Sequence, residues 1–226
     1  MSDTRLVALL QLCDSLFPIG SFAHSDGLEQ ATASGRVTNA GELRGWLDAQ
    51  LAGPLATADG RAAALALDHW QARRWADLDD LDDEIHALRP ASASREAARA
   101  MGTRLLKTWI AARPDAGIGA YLDRRAPGGV TLPVAFGIAC AAAGIAPAAA
   151  LEAFLYTRLA GAISAAMRLM KIGQNEAHRV LAEVLEQAPA AAAAIVASGA
   201  PPAVFAPALD IAAMSQQYQR SRLFRS

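Results

Sequence analysis

The sequence is poor in the residue types that build disulfide, metal and nucleotide sites. It has 226 residues, of which only 2 are cysteine and 4 are histidine. Cys13 and Cys140 lie far apart with no CxxC spacing, which argues against a disulfide framework or a zinc site, so we expect two reduced thiols. Neither HExxH nor GxxxxGK[ST] occurs, which excludes a zincin site and a P-loop nucleotide site.

The chain also lacks an excess of either charge. Lysine and arginine number 21, aspartate and glutamate 22, and the formal net charge is -1. No global field therefore points to nucleic acid or to an anionic membrane. Two stretches without charges, residues 126–151 and 187–209, are interrupted by proline and glycine, and the apolar run at 6–12 has no cleavage site. These features predict a cytoplasmic protein without membrane spans.

No convincing alternation of apolar and polar residues occurs, so we expect no sheet. The polar or glycine positions of residues 151–171 recur three or four apart, which predicts a helix apolar over most of its circumference. We predict a central helix over about 147–171 in a single all-α domain, residues 1–226, of roughly ten helices. Its C-terminal tail, residues 217–226, can be flexible.

Capping and breaking residues place the other elements. Asn39 with Glu42 predicts an N-cap, and the helix that follows should end before Gly53. Gly173 can end the central helix in the left-handed conformation. We further expect helices at 57–75, from Ser92 or Ser94 to Ala112, at 132–143 and from Pro207, with loop around a short helix at 121–125.

Arg168 is the most unusual charge of the central helix. If its stripe is buried, the guanidinium needs a carboxylate, for which Glu176 and Glu96 are the candidates, because an unpaired buried charge is costly. The other interpretation is that the stripe faces solvent or a partner.

Two polar clusters have the composition of catalytic sites. Asp79, Asp80 and Asp83 fit DDxxD, whose carboxylates can hold magnesium against a diphosphate. The alternative function is therefore a magnesium-dependent isoprenoid diphosphate enzyme, although a second acidic cluster is missing and a solvated acidic helix end fits as well. Ser21, His24 and Asp26 resemble a triad in composition, but neighbours on one turn favour a capped helix start.

The C-terminus has no acidic residue from Ile211 to Ser226 and carries three arginines interleaved with aromatic and leucine side chains. Arginine and aromatic residues dominate protein interfaces. This composition favours a tail that orders on a partner, and a frayed terminus is the other interpretation.

Four motifs in register resemble the UreF family of urease accessory proteins. They comprise the turn at 17–22 with Gly27-Leu28-Glu29, the helix around Arg95-Glu96, the segment 164–169 with Gly173-Gln174, and the C-terminal 221–226. The motif positions are Pro18, Gly20, Phe22, Gly27, Glu29, Arg95, Glu96, Arg168, Gly173 and Gln174. Lys171 stands where the family more often has proline, and residues 132–136 lack the histidine that many members carry.

The resemblance implies an all-α accessory protein, without catalytic residues or cofactors of its own, that acts in nickel insertion into the urease apoprotein. It further implies a homodimer that binds UreD (also called UreH) and recruits the GTPase UreG. The residues expected to order against UreD/UreH are Tyr218, Arg220, Arg222, Leu223, Phe224 and Arg225. A third hypothesis is a helical protein that binds a ligand in an apolar pocket beside the central helix.

Overall fold

The structure, a computed structural model, describes residues 3–225, and no β-strand occurs within them. Its α-helices are α1 (Asp3–Cys13), α2 (Leu28–Ala33), α3 (Ala40–Gln50), α4 (Gly60–Gln71), α5 (Trp75–Ala87), α6 (Ser92–Ala112), α7 (Ala116–Arg125), α8 (Leu132–Ala142), α9 (Pro147–Leu169), α10 (Gln174–Leu185), α11 (Ala188–Ala197) and α12 (Pro207–Ser215). Short 3-10 turns lie at Ser21–Ala23 and Gln216–Tyr218. The all-α prediction is confirmed.

Helix α9 is the central helix, as predicted. Its N-terminus is set by Pro147, whose fixed φ suits the first helical turn. It packs against α1, α2, α4, α10 and α11. The left-handed ending predicted at Gly173 is wrong: the helix ends where Met170 becomes extended, and Gly173 is the N-cap of α10, with φ -72° and ψ 150°.

Buried side chains form two cores on either side of α4 and α9. One core contains α8 between α4 and α6, and the other contains α3, α10 and α11 around α9. Two glycines permit the closest contacts of α8 and its N-terminal loop. A Cβ at Gly137 would lie 2.3 Å from the carbonyl oxygen of Ala63, and one at Gly102 would lie 2.3 Å from that of Val130. No side chain larger than hydrogen fits there.

The predicted cap of α3 is confirmed. Asn39 Oδ1 accepts a hydrogen bond of 3.0 Å from the backbone N–H of Glu42, and the Glu42 carboxylate accepts one of 2.7 Å from the N–H of Thr38. The chain then continues past the predicted end. A π-helical segment, Leu51–Asp59, joins α3 to α4 through a kink at Gly53 with φ -94° and ψ -114°.

Replacing Asn39 by alanine is expected to lower the free energy of unfolding by about 1 kcal/mol, because the N–H of Glu42 loses its acceptor. Urea titration followed by circular dichroism measures the change. The same replacement at Ser92 is a control, because that residue makes no side-chain cap at the start of α6. An equal loss of stability for both variants would contradict this role of Asn39.

Several predicted boundaries are wrong. Trp75 begins α5 instead of ending the preceding helix, so the acidic residues 77–84 lie inside a helix whose other face buries Leu78, Leu81 and Ile85. Neither Ser92 nor Ser94 caps α6, whose N-cap is Ala91. Helix α7 begins at Ala116, because the side chain of Asp115 accepts a 3.0 Å hydrogen bond from the N–H of Ile118.

Candidate functional site

Three of the four sequence motifs meet at one place on the surface, around the guanidinium group of Arg168. Its central carbon lies 3.8 Å from the ring centroid of Phe22 and 4.2 Å from that of Phe224. One terminal nitrogen also donates a 2.7 Å hydrogen bond to the carbonyl oxygen of Phe22. The cation is therefore held between two aromatic rings, one from the N-terminal turn and one from the C-terminal tail.

This arrangement corrects the expectation for Arg168. The side chain is half-buried, and within residues 3–225 it forms no ion pair, so neither Glu176 nor Glu96 is its partner. Glu176 instead lies 3.7 Å from Arg179 on its own helix. The rings of Phe22 and Phe224 supply the electrostatic attraction that the sequence led us to seek in a carboxylate.

The carboxylate of Glu29 holds the C-terminal tail. It is buried and accepts hydrogen bonds from the backbone N–H groups of Leu223 (2.5 Å) and Phe224 (3.2 Å). The side-chain amide of Gln216, also buried, donates a third at 3.0 Å. A further backbone bond of 2.8 Å joins the N–H of Arg225 to the carbonyl oxygen of Ala23. The described part of the tail is thus docked on α2 and the turn before it.

The tail residues predicted to contact a partner divide into an anchor and an exposed set. Phe224 is only 3% exposed and belongs to the core around α9, so in the free chain it is not available as a surface contact. Tyr218 is 81% exposed, and Leu223 is exposed as well. The three arginines of this segment, Arg220, Arg222 and Arg225, are exposed too.

Sequence reasoning missed three apolar residues beside the tail. Phe205 is 91% exposed, and Ile211 and Met214 are exposed on α12. Together with Tyr218 and Leu223 they are the exposed large apolar side chains of residues 205–223, a set that we call the C-terminal surface. The signal was present in the sequence, since Ile211, Met214 and Tyr218 are spaced by three and four residues, as on one helix face.

Two glycines of the N-terminal motif allow α2 to receive these segments. Gly20 and Gly27 both have φ of +85°, a conformation that other residues rarely adopt. A Cβ at Gly27 would in addition lie 2.8 Å from the backbone nitrogen of Ala213 on α12. The absence of a side chain at Gly27 therefore allows the close approach of α12 to α2. Pro18, another motif position of the turn, is exposed.

The remaining motif positions do not join this site. Arg95 donates hydrogen bonds to the carbonyl oxygens of Arg89 (2.6 Å) and Pro90 (2.9 Å), which closes the connection between α5 and α6. Glu96 is exposed on α6, and Gly173 and Gln174 are exposed at the start of α10.

Of the group Ser21, His24 and Asp26, the carboxylate of Asp26 pairs with an arginine of the central helix. Burial alone would raise the pKa of Asp26. The guanidinium groups of Arg158, with which it pairs, and of Arg89 nevertheless hold this pKa below its ordinary value. Burial lowers the pKa of His24. The expected side-chain cap is wrong, because Gly27 is the N-cap of α2. The carboxylate serves to neutralise Arg158.

The acidic cluster of α5 faces arginines. Asp79 lies 3.2 Å from Arg124, and Asp83 lies 2.6 Å from Arg125 and 3.1 Å from Arg99, while Asp80 is exposed. In the part of the chain that the structure describes, no group of three acidic, histidine or cysteine residues could hold a metal ion. Two of the three carboxylates of the alternative magnesium site, those of Asp79 and Asp83, are neutralised by guanidinium groups, so the diphosphate-enzyme hypothesis lacks its metal site.

Both cysteines are free, with Cys140 buried and Cys13 half-buried. Burial raises the pKa of the Cys13 thiol to about 11. One run, Gln174–Ala197, is long and apolar enough to cross a membrane by length and composition alone. It comprises α10 and α11, and charged residues such as Glu176, Arg179 and Glu183 lie along it. A single run of this kind is weak support for a membrane span.

Comparison with known proteins agrees with the motifs. The model of the UreF family matches residues 37–185. The chain is 34% identical to a protein of Paenarthrobacter aurescens (strain TC1) over the whole length of both. It is 35% identical to one of Rhizobium johnstonii and 36% identical to one of Rhizobium leguminosarum bv. viciae, each over 99% of both chains. All three relatives are named urease accessory protein UreF.

The family model covers more than half of the chain, and the relatives match it from end to end. The docked tail, the Arg168 stack and the glycine turn are then the structural form of the motifs that carried the resemblance. The chain belongs to the UreF family of urease accessory proteins.

Proposed function

We propose that this protein is a non-catalytic scaffold for the insertion of nickel into the urease apoprotein, and that it binds UreD/UreH through its C-terminal surface. The observation that carries the proposal is that surface itself, five exposed apolar side chains on α12 and the segments on either side of it. Exposed apolar patches of this kind mark interaction sites in soluble proteins. The relatives are named urease accessory protein UreF, and these names support a role for such a surface in urease maturation.

The charge of the segment indicates the chemistry of the partner. Arg220, Arg222 and Arg225 are exposed, and the chain has no acidic residue beyond Asp210. The complementary surface is therefore apolar at its centre and acidic at its edge. We assign it to UreD/UreH, with the buried ring of Phe224 as the anchor that fixes the segment and with Tyr218 and Leu223 as direct contacts.

The same proposal includes a homodimer, recruitment of the GTPase UreG and docking on the urease apoprotein, with nickel as the cargo of the assembly. Two free thiols, one buried and one half-buried, fit a cytoplasmic protein. The site supports a scaffolding role because its charged groups hold a polypeptide segment in place: Glu29 binds backbone amides and Arg168 binds aromatic rings.

Deleting residues 219–226 is expected to abolish co-purification with UreD/UreH while the helices remain, because those residues follow the last helical turn. Leu223→Arg is the sharper variant, since its side chain is exposed and its backbone bond to Glu29 needs no particular side chain. Burying one such apolar side chain is worth about 1.5–3 kcal/mol, or about tenfold to a hundredfold in affinity.

Biolayer interferometry with purified UreD/UreH measures the affinity, and circular dichroism checks the fold. The matched control is Val196→Arg, a residue 45% exposed on α11, outside the C-terminal surface. A truncated protein that binds UreD/UreH at full strength would remove the tail from this interface.

A further inference from the structure

A groove lies between α1, the turn at 17–22 and α9, and both Arg168 and the docked tail residue Phe224 are among its lining residues. Its volume is about 460 Å³. Its floor is formed by core side chains from three helices, among them Leu105, Phe136 and Phe154. Its rim is formed by Leu10, Phe22 and Tyr156. The groove therefore combines a deep apolar floor with large apolar side chains at its mouth.

The apolar side chains of the rim are much more exposed to solvent than those that line an enclosed ligand pocket. Phe22 is 67% exposed and Tyr156 is 43% exposed. Beyond the rim, the exposed apolar side chains continue along α1 and into the turn after it, at Leu6, Val7 and Leu16. A small molecule in the groove would leave those residues in water. Their extent favours a protein partner that covers the groove and α1 together.

One arginine that lines the groove, Arg168, has no carboxylate partner within the described residues. Of the two arginines that line it, Arg158 is neutralised by Asp26, whereas Arg168 forms no ion pair within the described residues. Asp14 also lines the groove, and its carboxylate accepts a 2.8 Å hydrogen bond from the N–H of Leu16. The other titratable side chains of the lining are Cys13, His24 and Tyr156. Burial raises the pKa of Cys13 and lowers that of His24, so both favour the neutral form. An incoming carboxylate thus finds, in the lining of an apolar groove, one guanidinium group that has aromatic and carbonyl contacts but no carboxylate partner within the described residues.

We propose that this groove is a second docking surface, which takes a partner segment that carries a large apolar side chain and an aspartate or glutamate within a few residues of it. The apolar side chain enters between Leu10 and Tyr156, and the carboxylate meets Arg168. The inference rests on the proposed scaffold function, and it places a partner other than UreD/UreH on the face formed by α1 and α9.

The test uses the full chain with purified UreD/UreH, UreG and urease apoprotein. Tyr156→Arg and Leu10→Arg put a charge at the rim outside the tail. Val196→Arg places the same charge on α11 at an exposure of 45%, close to the 43% of Tyr156. We expect both rim variants to weaken binding of UreG or urease apoprotein at least tenfold, with UreD/UreH affinity and the control unchanged. A photo-crosslinking residue at position 156 should then label a peptide that contains an apolar residue and a carboxylate.

Each other result overturns the inference. If no affinity changes by more than about twofold while deletion of 219–226 still abolishes UreD/UreH binding, the groove is not an interface and the scaffold proposal stands. If the wild-type chain binds none of the three proteins, the proposed function itself fails. If the rim variants alter only self-association in ultracentrifugation, the occupant of the groove is a second copy of this chain. If a small carboxylate copurifies with the wild-type chain and is lost in Tyr156→Arg, the groove is a ligand site.

Discussion

Replacing Asp82 by alanine is expected to lower the free energy of unfolding by about 3–5 kcal/mol, the cost of breaking a buried ion pair. The Asp82 side chain is 0% exposed. One oxygen accepts hydrogen bonds from the backbone N–H (2.8 Å) and hydroxyl (2.6 Å) of Thr131, and the other lies 2.8 Å from Arg125. Asp82 therefore joins α5, α7 and the start of α8. Its loss leaves the buried N–H and hydroxyl of Thr131 without their acceptor and removes from the largely buried Arg125 guanidinium its buried carboxylate, with the exposed Asp83 as the nearest one remaining.

Urea titration followed by circular dichroism measures this loss. Asp80→Ala is the matched control, because Asp80 is exposed on the same helix and should change stability by no more than about 0.5 kcal/mol. Thr131→Val should fall between the two, since it removes one hydroxyl and keeps the ion pair. A loss below about 1 kcal/mol for Asp82→Ala would show that Arg125 finds other partners, for which Asp83 at 2.6 Å is the candidate.

Replacing Glu29 by alanine is expected to release the tail and with it the binding of UreD/UreH. Three donors lose their acceptor, the N–H groups of Leu223 and Phe224 and the amide of Gln216. Each buried donor left unpaired costs about 1–3 kcal/mol, so two of them are enough to shift the docking of the tail by about thirtyfold or more. The chain should keep its helices, because Glu29 lies on the short helix α2 and its bonds run to the tail.

Hydrogen exchange measures this release directly. The amides of Leu223 and Phe224 should exchange at least about thirtyfold faster in Glu29→Ala, and trypsin should cleave sooner after Arg220 and Arg222. Glu29→Gln keeps one acceptor oxygen and should show a smaller effect, while Glu96→Ala, at an exposed position on α6, is the control. Unchanged exchange at both amides would mean that the Arg168 stack alone holds the tail.

The local elements were open to prediction because their causes are local. The spacing of apolar residues places α9, and the Asn39 cap depends on a bond that spans three residues. The errors occur where a local signal was ambiguous. The acidic run at 77–84 has the composition of a solvated loop, and only burial of Leu78, Leu81 and Ile85 against other helices makes it α5.

The candidate site was predictable as a set of residues and not as an arrangement. The motifs identified Phe22, Glu29, Arg168 and the tail, but a pattern of residue types cannot say which of them touch. The magnesium hypothesis failed for the same reason, since the arginines that neutralise Asp79 and Asp83 lie on α6 and α7. The C-terminal surface could not be listed in full from the sequence, because only the structure shows that Ile211 and Met214 are exposed on α12.

The sequence by itself determined that this chain is helical, that α9 is central and that it is built on the motifs of urease accessory proteins, because helical periodicity, capping and family motifs are properties of short segments. Only the tertiary structure decided that Arg168 stacks between Phe22 and Phe224, that Glu29 binds the tail and that Phe224 is an anchor. Those contacts join residues up to 195 positions apart, and their energies depend on burial and distance, which exist only once the helices have packed.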